Sequence, residues 1–182
     1  MGEVREHRPV LRLMAISSRH ETAFEWAQEQ AQQAWGPIVL SSPRFDFSET
    51  HYYTKSMGEG LLKQVVAFEE LIDQSRVVES KIESNAWEQE YRAAHDFPEA
   101  RPLNLDPGYL TEAKLILATT KDRDHRVYLR KGILAEVTLF YQGNRWQGSR
   151  WTYPDYLRSD VVSFLDECRD WLRKRYGAMA AE

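Results

Sequence analysis

Apolar positions in this chain change their spacing from segment to segment, and the changes outline the elements. Val10 to Ser18 (VLRLMAISS) is nearly continuous in apolar residues, the pattern of a strand buried on both faces. Ser18 followed by Glu21 has capping-box spacing. Phe24, Ala27, Ala31, Ala34 and Trp35 then recur on one helical face until Gly36-Pro37 ends the helix. Ile38 to Leu40 and Arg44 to Phe47 read as extended segments broken by Pro43. Residues 48–60 read as a polar loop carrying Tyr52, Tyr53 and Met57, and Leu62 to Ile72 as the next strand. Asp73 is placed to cap a helix from about residue 74 to Ala94, with Val78, Ile82 and Ala86 on one side. Arg101 to Asp106 completes the series as a short strand.

The order βαββαβ is that of a ferredoxin-like core. After it the pattern predicts a helix from Thr111 through Ala118. A hairpin of Arg126–Arg130 with Ile133–Tyr141 follows, turning at Lys131-Gly132. A short strand at Asn144–Gln147 comes next. The last helix opens at Ser159 with a stripe of Val161, Leu165, Cys168 and Leu172, and Gly177 is expected to stop it. The expected fold is therefore α+β: a ferredoxin-like βαββαβ core over residues 1–106, then an α-β-β-(β)-α extension over 107–182. The sheet is expected to be mixed and mostly antiparallel. No low-complexity linker divides the chain, so a single domain is expected over all 182 residues.

With 42% apolar residues and 12% aromatic, the chain has the material for a sizeable core. The net charge of −4 speaks against nucleic acid as a partner. The charge is unevenly spread: residues 1–100 carry 10 Lys+Arg against 17 Asp+Glu, and residues 101–182 carry 14 against 11. The second half is thus the more basic one and leans toward an anionic ligand. A single cysteine, Cys168, rules out an intrachain disulfide and a thiolate zinc site. The N-terminal stretch has no uninterrupted apolar segment of the secretory kind, and no apolar run approaches membrane-spanning length. A cytoplasmic protein without membrane contact is expected.

Candidate chemistry concentrates between residues 104 and 155. Asn104-Leu105-Asp106-Pro107-Gly108-Tyr109 reads as a turn that either serves only its own geometry or sets a carboxylate beside the helix expected at Thr111. Thr119 to Arg126 gathers hydroxyls, Lys121, Asp122, Asp124, His125 and Arg126. It is either a solvated charged loop or a site in which Lys121 and Arg126 hold a phosphate and His125 moves a proton. Its Thr-Lys-Asp is like a fragment of the base-reading element of GTPases, but no GxxxxGK[ST] phosphate loop exists in the chain, which excludes a P-loop GTPase. Glu136 lies between Leu134 and Phe140 and is expected on an exposed strand face, with burial as the alternative that would suit a proton donor or metal ligand. Trp151-Thr152-Tyr153-Pro154-Asp155-Tyr156 either packs a loop or walls a pocket with Asp155 as its polar anchor. The five histidines have no metal-binding spacing, so a divalent-metal shell would have to be assembled in space, from Asp106, His125, Glu136 and Asp155.

FDFSETHYY with Met57-Gly58, NLDPGYLTEAKLILATTKDRDHRVYL, KGILAEVTLFY and WTYPDY together resemble the bacterial and archaeal family called domain of unknown function 4416. The resemblance runs along most of the chain and implies a shared fold and shared site positions without implying an activity. Asp46, Tyr53, Asn104, Asp106, Tyr109, Lys114, Lys121, Asp122, His125, Arg126, Glu136, Tyr153 and Asp155 are the family-like positions. Arg123 departs from the pattern, which prefers an aromatic there.

Two expectations follow. In the first, the protein binds, and acts on, a phosphate-bearing small molecule or nucleotide. Asp106, His125 and Glu136 are the catalytic candidates. Asn104, Tyr109, Lys114, Lys121, Asp122, Arg126, Tyr153 and Asp155 are the binding candidates, with Tyr109 and Tyr153 walling the pocket. In the second, it is a non-catalytic interaction or homodimerisation module, with Tyr52, Tyr53 and Trp151 as contact anchors.

Overall fold

A computed structural model describes residues 2–3, 7–47 and 54–180. Tyr52 and Tyr53 lie outside them. Among the described residues nine strands form one open sheet: β1 (Val10–Ser18), β2 (Ile38–Ser41), β3 (Phe45–Asp46), β4 (Leu62–Ile72), β5 (Asn104–Leu110), β6 (Lys114–Thr119), β7 (Val127–Arg130), β8 (Ile133–Gln142) and β9 (Arg145–Gly148). Their order is β2-β4-β1-β5-β6-β8-β7, with β3 added to β4 and β9 to β8. Each of these pairings is antiparallel. Among the described residues four helices complete the fold: α1 (Glu21–Trp35), α2 (Thr54–Met57), α3 (Val77–Ala94) and α4 (Ser159–Met179). No described helix is long and apolar enough to cross a membrane.

The central strand β1 is buried at every residue because both faces of the sheet are covered. Leu11, Leu13 and Ala15 meet Val161, Leu165, Cys168 and Leu172 of α4 on one side. Met14 and Ile16 meet Phe24, Ala27, Ala31 and Trp35 of α1, with Trp87 and Tyr91 of α3, on the other. Gly36 ends α1 at φ +86°, donating its N–H to Gln32. Asp73 caps a single 3-10 turn at Gln74–Arg76 by accepting from the Ser75 amide, and α3 follows directly. Lys131 and Gly132 both have positive φ, as do Gly143 and Asn144, so the hairpins of β8 with β7 and with β9 turn where the sequence indicates.

Four expectations are corrected. The segment expected to be a helix from Thr111 through Ala118 contains strand β6 instead, so residues 107–182 supply four strands and one long helix rather than α-β-β-(β)-α. Leu115, Ile116, Leu117 and Ala118 are all buried, and a continuous apolar run of that length suits a two-sided strand as well as a helix. Asp-Pro-Gly is the middle of β5, not a turn, and the proposed half boundary at residue 106 falls inside that strand. The inward face of α3 is Val77, Val78, Lys81, Ser84, Trp87 and Tyr91, while Ile82 and Ala86 are exposed. Finally, α4 runs through Gly177 to Met179.

Candidate functional site

Strands β5 and β6 are joined at one end and split at the other. They pair only where Gly108–Leu110 meets Leu117–Leu115. Before that point Asn104–Asp106 stays on β1, and beyond it Ala118 and Thr119 stay on β8. Pro107 has no N–H to offer β6 just where the ladder stops. Gly108 permits the close approach that follows, since a Cβ there would lie 2.1 Å from the Ile116 carbonyl oxygen. The two strands therefore diverge from a pinch into a wedge, and a cavity of about 100 Å³ occupies it. Because the wedge opens the sheet, the cavity is lined from both faces, by Lys81 and Asn85 of α3 and by Lys63 of β4 with Tyr156.

Ion pairs build its wall. Lys63 Nζ lies 2.6 Å from Asp155 Oδ2, both side chains almost fully buried, and faces the rings of Phe47 and Tyr156. Oδ1 of Asp155 and Oγ of Ser17, the cross-strand neighbour of Lys63, are buried without a hydrogen-bond partner among the described residues. Lys81 Nζ donates to the Leu105 carbonyl at 2.7 Å and to Asp106 Oδ1 at 3.3 Å, and Asn104 Nδ2 donates to Asp106 Oδ2 at 2.7 Å. Burial acts to raise the pKa of Asp106, but Lys81, Lys63, the Asn104 hydrogen bond and Arg101 outweigh it and hold the group at about 2. Asp106 is thus a carboxylate at neutral pH, an acceptor rather than a proton donor. Arg101 grips Glu88 through Nε and Nη2, and Glu88 also accepts the Leu105 amide. Burial pushes the Glu88 carboxyl up, against the opposing fields of Lys81 and Arg101.

On the β8 side, Glu136 is buried, not exposed. A register shift in the β6–β8 ladder turns Glu136 and Thr138 inward and leaves Val137 on the outside. Its Oε2 accepts from Arg126 Nε at 2.6 Å and lies 3.0 Å from His125 Nε2. Burial acts to lower the Arg126 pKa, but Glu136 and Tyr153 more than compensate, so the guanidinium stays charged. Arg126 also donates to the Lys121 carbonyl at 2.9 Å, which ties the loop after β6 to β8.

The sequence model for the domain of unknown function DUF4416 matches residues 8–172. The chain belongs to the DUF4416 family. No curated protein and no solved structure gives a significant match to it. All residues lining the cavity fall within the DUF4416 match.

Within this DUF4416 chain, Asn104, Asp106, Lys121, Arg126, Glu136 and Tyr153 line the cavity together. His125 lines a second hollow outside it, which shares Lys121, Arg126 and Tyr153. Asp155 lies behind Lys63 rather than at the surface of the wall. Tyr109 is elsewhere: it packs against Val10, Ile72, Val77 and Val78 and donates its hydroxyl to Gln74. Lys114 starts β6 at the joined end, opposite Phe140. Asp122 is exposed and lines neither hollow. Asp106 has no helix N-terminus beside it, since none forms at Thr111. Among the described residues no group of three or more His, Cys, Asp or Glu side chains comes together that could hold a metal ion. The shell of Asp106, His125, Glu136 and Asp155 is not assembled, because Asp155 is taken by Lys63 and Glu136 by Arg126.

Sequence reasoning missed Lys63, Lys81, Asn85 and Arg101, all from the first hundred or so residues. Two carried a signal. Lys63 is two residues before Val65, on the buried side of β4, and Lys81 sits three and four residues after Val78 and Val77, on the inward stripe of α3. A lysine at a core position needs a partner, which makes it a marker for a polar cavity. Cys168 is fully buried and burial pushes its thiol well up, as befits packing rather than reactivity.

Proposed function

We propose that this protein binds a small phosphate-bearing molecule in the cavity between β5 and β6. The observation that carries the reading is the composition of the wall: among the described residues Lys63, Lys81, Arg101, Lys121 and Arg126 line it with Asp106 and Glu136. The acids hold the cations in place, and five basic side chains converging on one small cavity suit an anionic group. Asp106, ionised at neutral pH and partly open to the cavity, accepts hydrogen bonds from a ligand hydroxyl or positions a water. Any proton transfer falls to the Glu136–His125 pair at the outer side of the wall. A cytoplasmic setting, as read from the sequence, suits such a metabolite.

The site rests on a ferredoxin-like half in this reading. The antiparallel order β2-β4-β1-β5, joined through α1 and α3, supports that assignment, with β6–β9 and α4 added beyond it.

A thermal-shift screen of inorganic phosphate and phosphorylated metabolites tests the proposal. A binder at a hundredfold excess over its Kd stabilises the fold by about 2.7 kcal/mol. Lys81→Met and Lys121→Ala should both lose that shift. If no phosphate compound stabilises the wild type, the proposal fails.

A second reading is self-association through the β7 edge. Val127, Tyr128 and Leu129, with Val137 of β8, are exposed apolar residues at the end of the sheet. Light scattering across a concentration series decides it, and a monomer throughout would dismiss it.

A further inference from the structure

The second hollow, outside the cavity, has a different character. It holds about 370 Å³ against about 100 Å³ inside, and the two share Lys121, Arg126 and Tyr153. A ligand could therefore pass from one to the other along that common wall. The inner space admits a compact group, whereas the outer one falls in the range of pockets that take whole small molecules.

The outer wall is charged like the inner one and adds the flat groups of His125 and Trp151. His125 and Trp151 stack with ring centroids 5.1 Å apart and planes 17° from parallel, and the Arg150 guanidinium lies 4.2 Å from the Trp151 centroid. Trp151 is thus held in a layered stack before any ligand arrives. It is nevertheless 39% exposed, and Tyr153 is 37% exposed, while core rings such as Trp35 and Tyr91 are at 3% and 0%. Large rings that are held in place yet still part-exposed, at the mouth of a basic cavity, leave apolar surface for something flat to cover. The Asp124 carboxylate, 3.3 Å from His125 Nδ1, adds an acceptor for amino or hydroxyl groups on that flat body.

We infer that the ligand is bipartite: a phosphomonoester of a ring-bearing molecule, of the nucleoside monophosphate class. Its phosphate occupies the inner cavity, and its ring lies in the outer hollow against Tyr153 and the His125–Trp151 stack. The inference rests on the anion-site reading given above and adds the identity of the body attached to the anion. Arg123 joins the outer wall as a second flat cation beside the ring.

The test is calorimetric titration of the full chain with inorganic phosphate, ribose 5-phosphate and the four common nucleoside 5′-monophosphates. At least one nucleotide should bind about tenfold or more tightly than ribose 5-phosphate, the scale of stacking a base on an aromatic ring. Trp151→Ala should bring that nucleotide close to the ribose 5-phosphate level. If phosphate and ribose 5-phosphate bind but no nucleotide gains over them, the bipartite ligand is wrong while the anion site stands. If none of the compounds binds, both fall.

Discussion

Lys63 and Asp155 are separated by 92 residues and meet at 2.6 Å beneath the cavity. One comes from β4 and the other from the turn that leads into α4, so a single ion pair fastens the C-terminal helix to the sheet at the site. Both charges have been taken out of water, and each is tolerable only because of the other. Asp155→Ala should therefore cost about 3–5 kcal/mol, because it leaves a buried ammonium unpaired. Lys63→Met combined with Asp155→Leu should recover most of that loss. Urea unfolding of the two variants checks both values; equal destabilisation in both would show that packing and not charge is at stake.

Acid should act on the fold through Asp106. Its folded pKa, about 2, lies below the ordinary 3.8, so the folded state binds fewer protons. The stabilisation is complete above the unfolded value and disappears as pH falls through the folded one. The shift corresponds to about 2 kcal/mol. Asp106→Asn should be less stable than wild type by about that amount at pH 7, and the gap should close between about pH 4 and 2. Urea midpoints at several pH values in that window measure it.

Two glycines should respond in opposite senses. Gly108→Ala places a methyl against the Ile116 carbonyl at the β5–β6 pinch and should cost about 3 kcal/mol or more, with loss of phosphate binding as the wedge shifts. Gly177→Ala lies in the last turns of α4 with open space around it and should add about 0.5–1 kcal/mol. Thermal unfolding of both variants checks the signs.

Cys168 should be inert toward Ellman's reagent in the native protein. It has no solvent exposure, and burial holds the proton on its sulfur. Stoichiometric reaction should appear only in denaturant. Rapid modification of the native chain would mean that α4 opens easily.

Much of the first half was legible because its patterns are unambiguous: β1 and β4 have the bounds that their apolar runs indicate, and Gly36 ends α1. The failures have physical causes. Asp106-Pro107-Gly108 has the composition of a turn, yet it serves a strand whose neighbour pairs only from Gly108 onward. The two anomalies that make the segment look like a turn are what open the cavity. Leu115 to Ala118 has no period to separate helix from strand when both faces are buried. Glu136 is expected on the outer face because antiparallel sheets often keep one wet face, and the register shift that buries it does not show in the sequence of either strand. The local cluster from Lys121 to Arg126 was visible, but its partners on β4 and α3 were not. They reach the cavity through the sheet rather than along the chain.

Amide chemical-shift mapping of a phosphate titration tests the central claim most directly. Binding in the wedge should move the resonances of Asn104 to Asp106 and Thr119 to Lys121 together, on one saturating curve, with Lys114 and Thr111 at the joined end unaffected. Perturbations spread over the surface without saturation, or confined to the joined end, would contradict an anion site between β5 and β6.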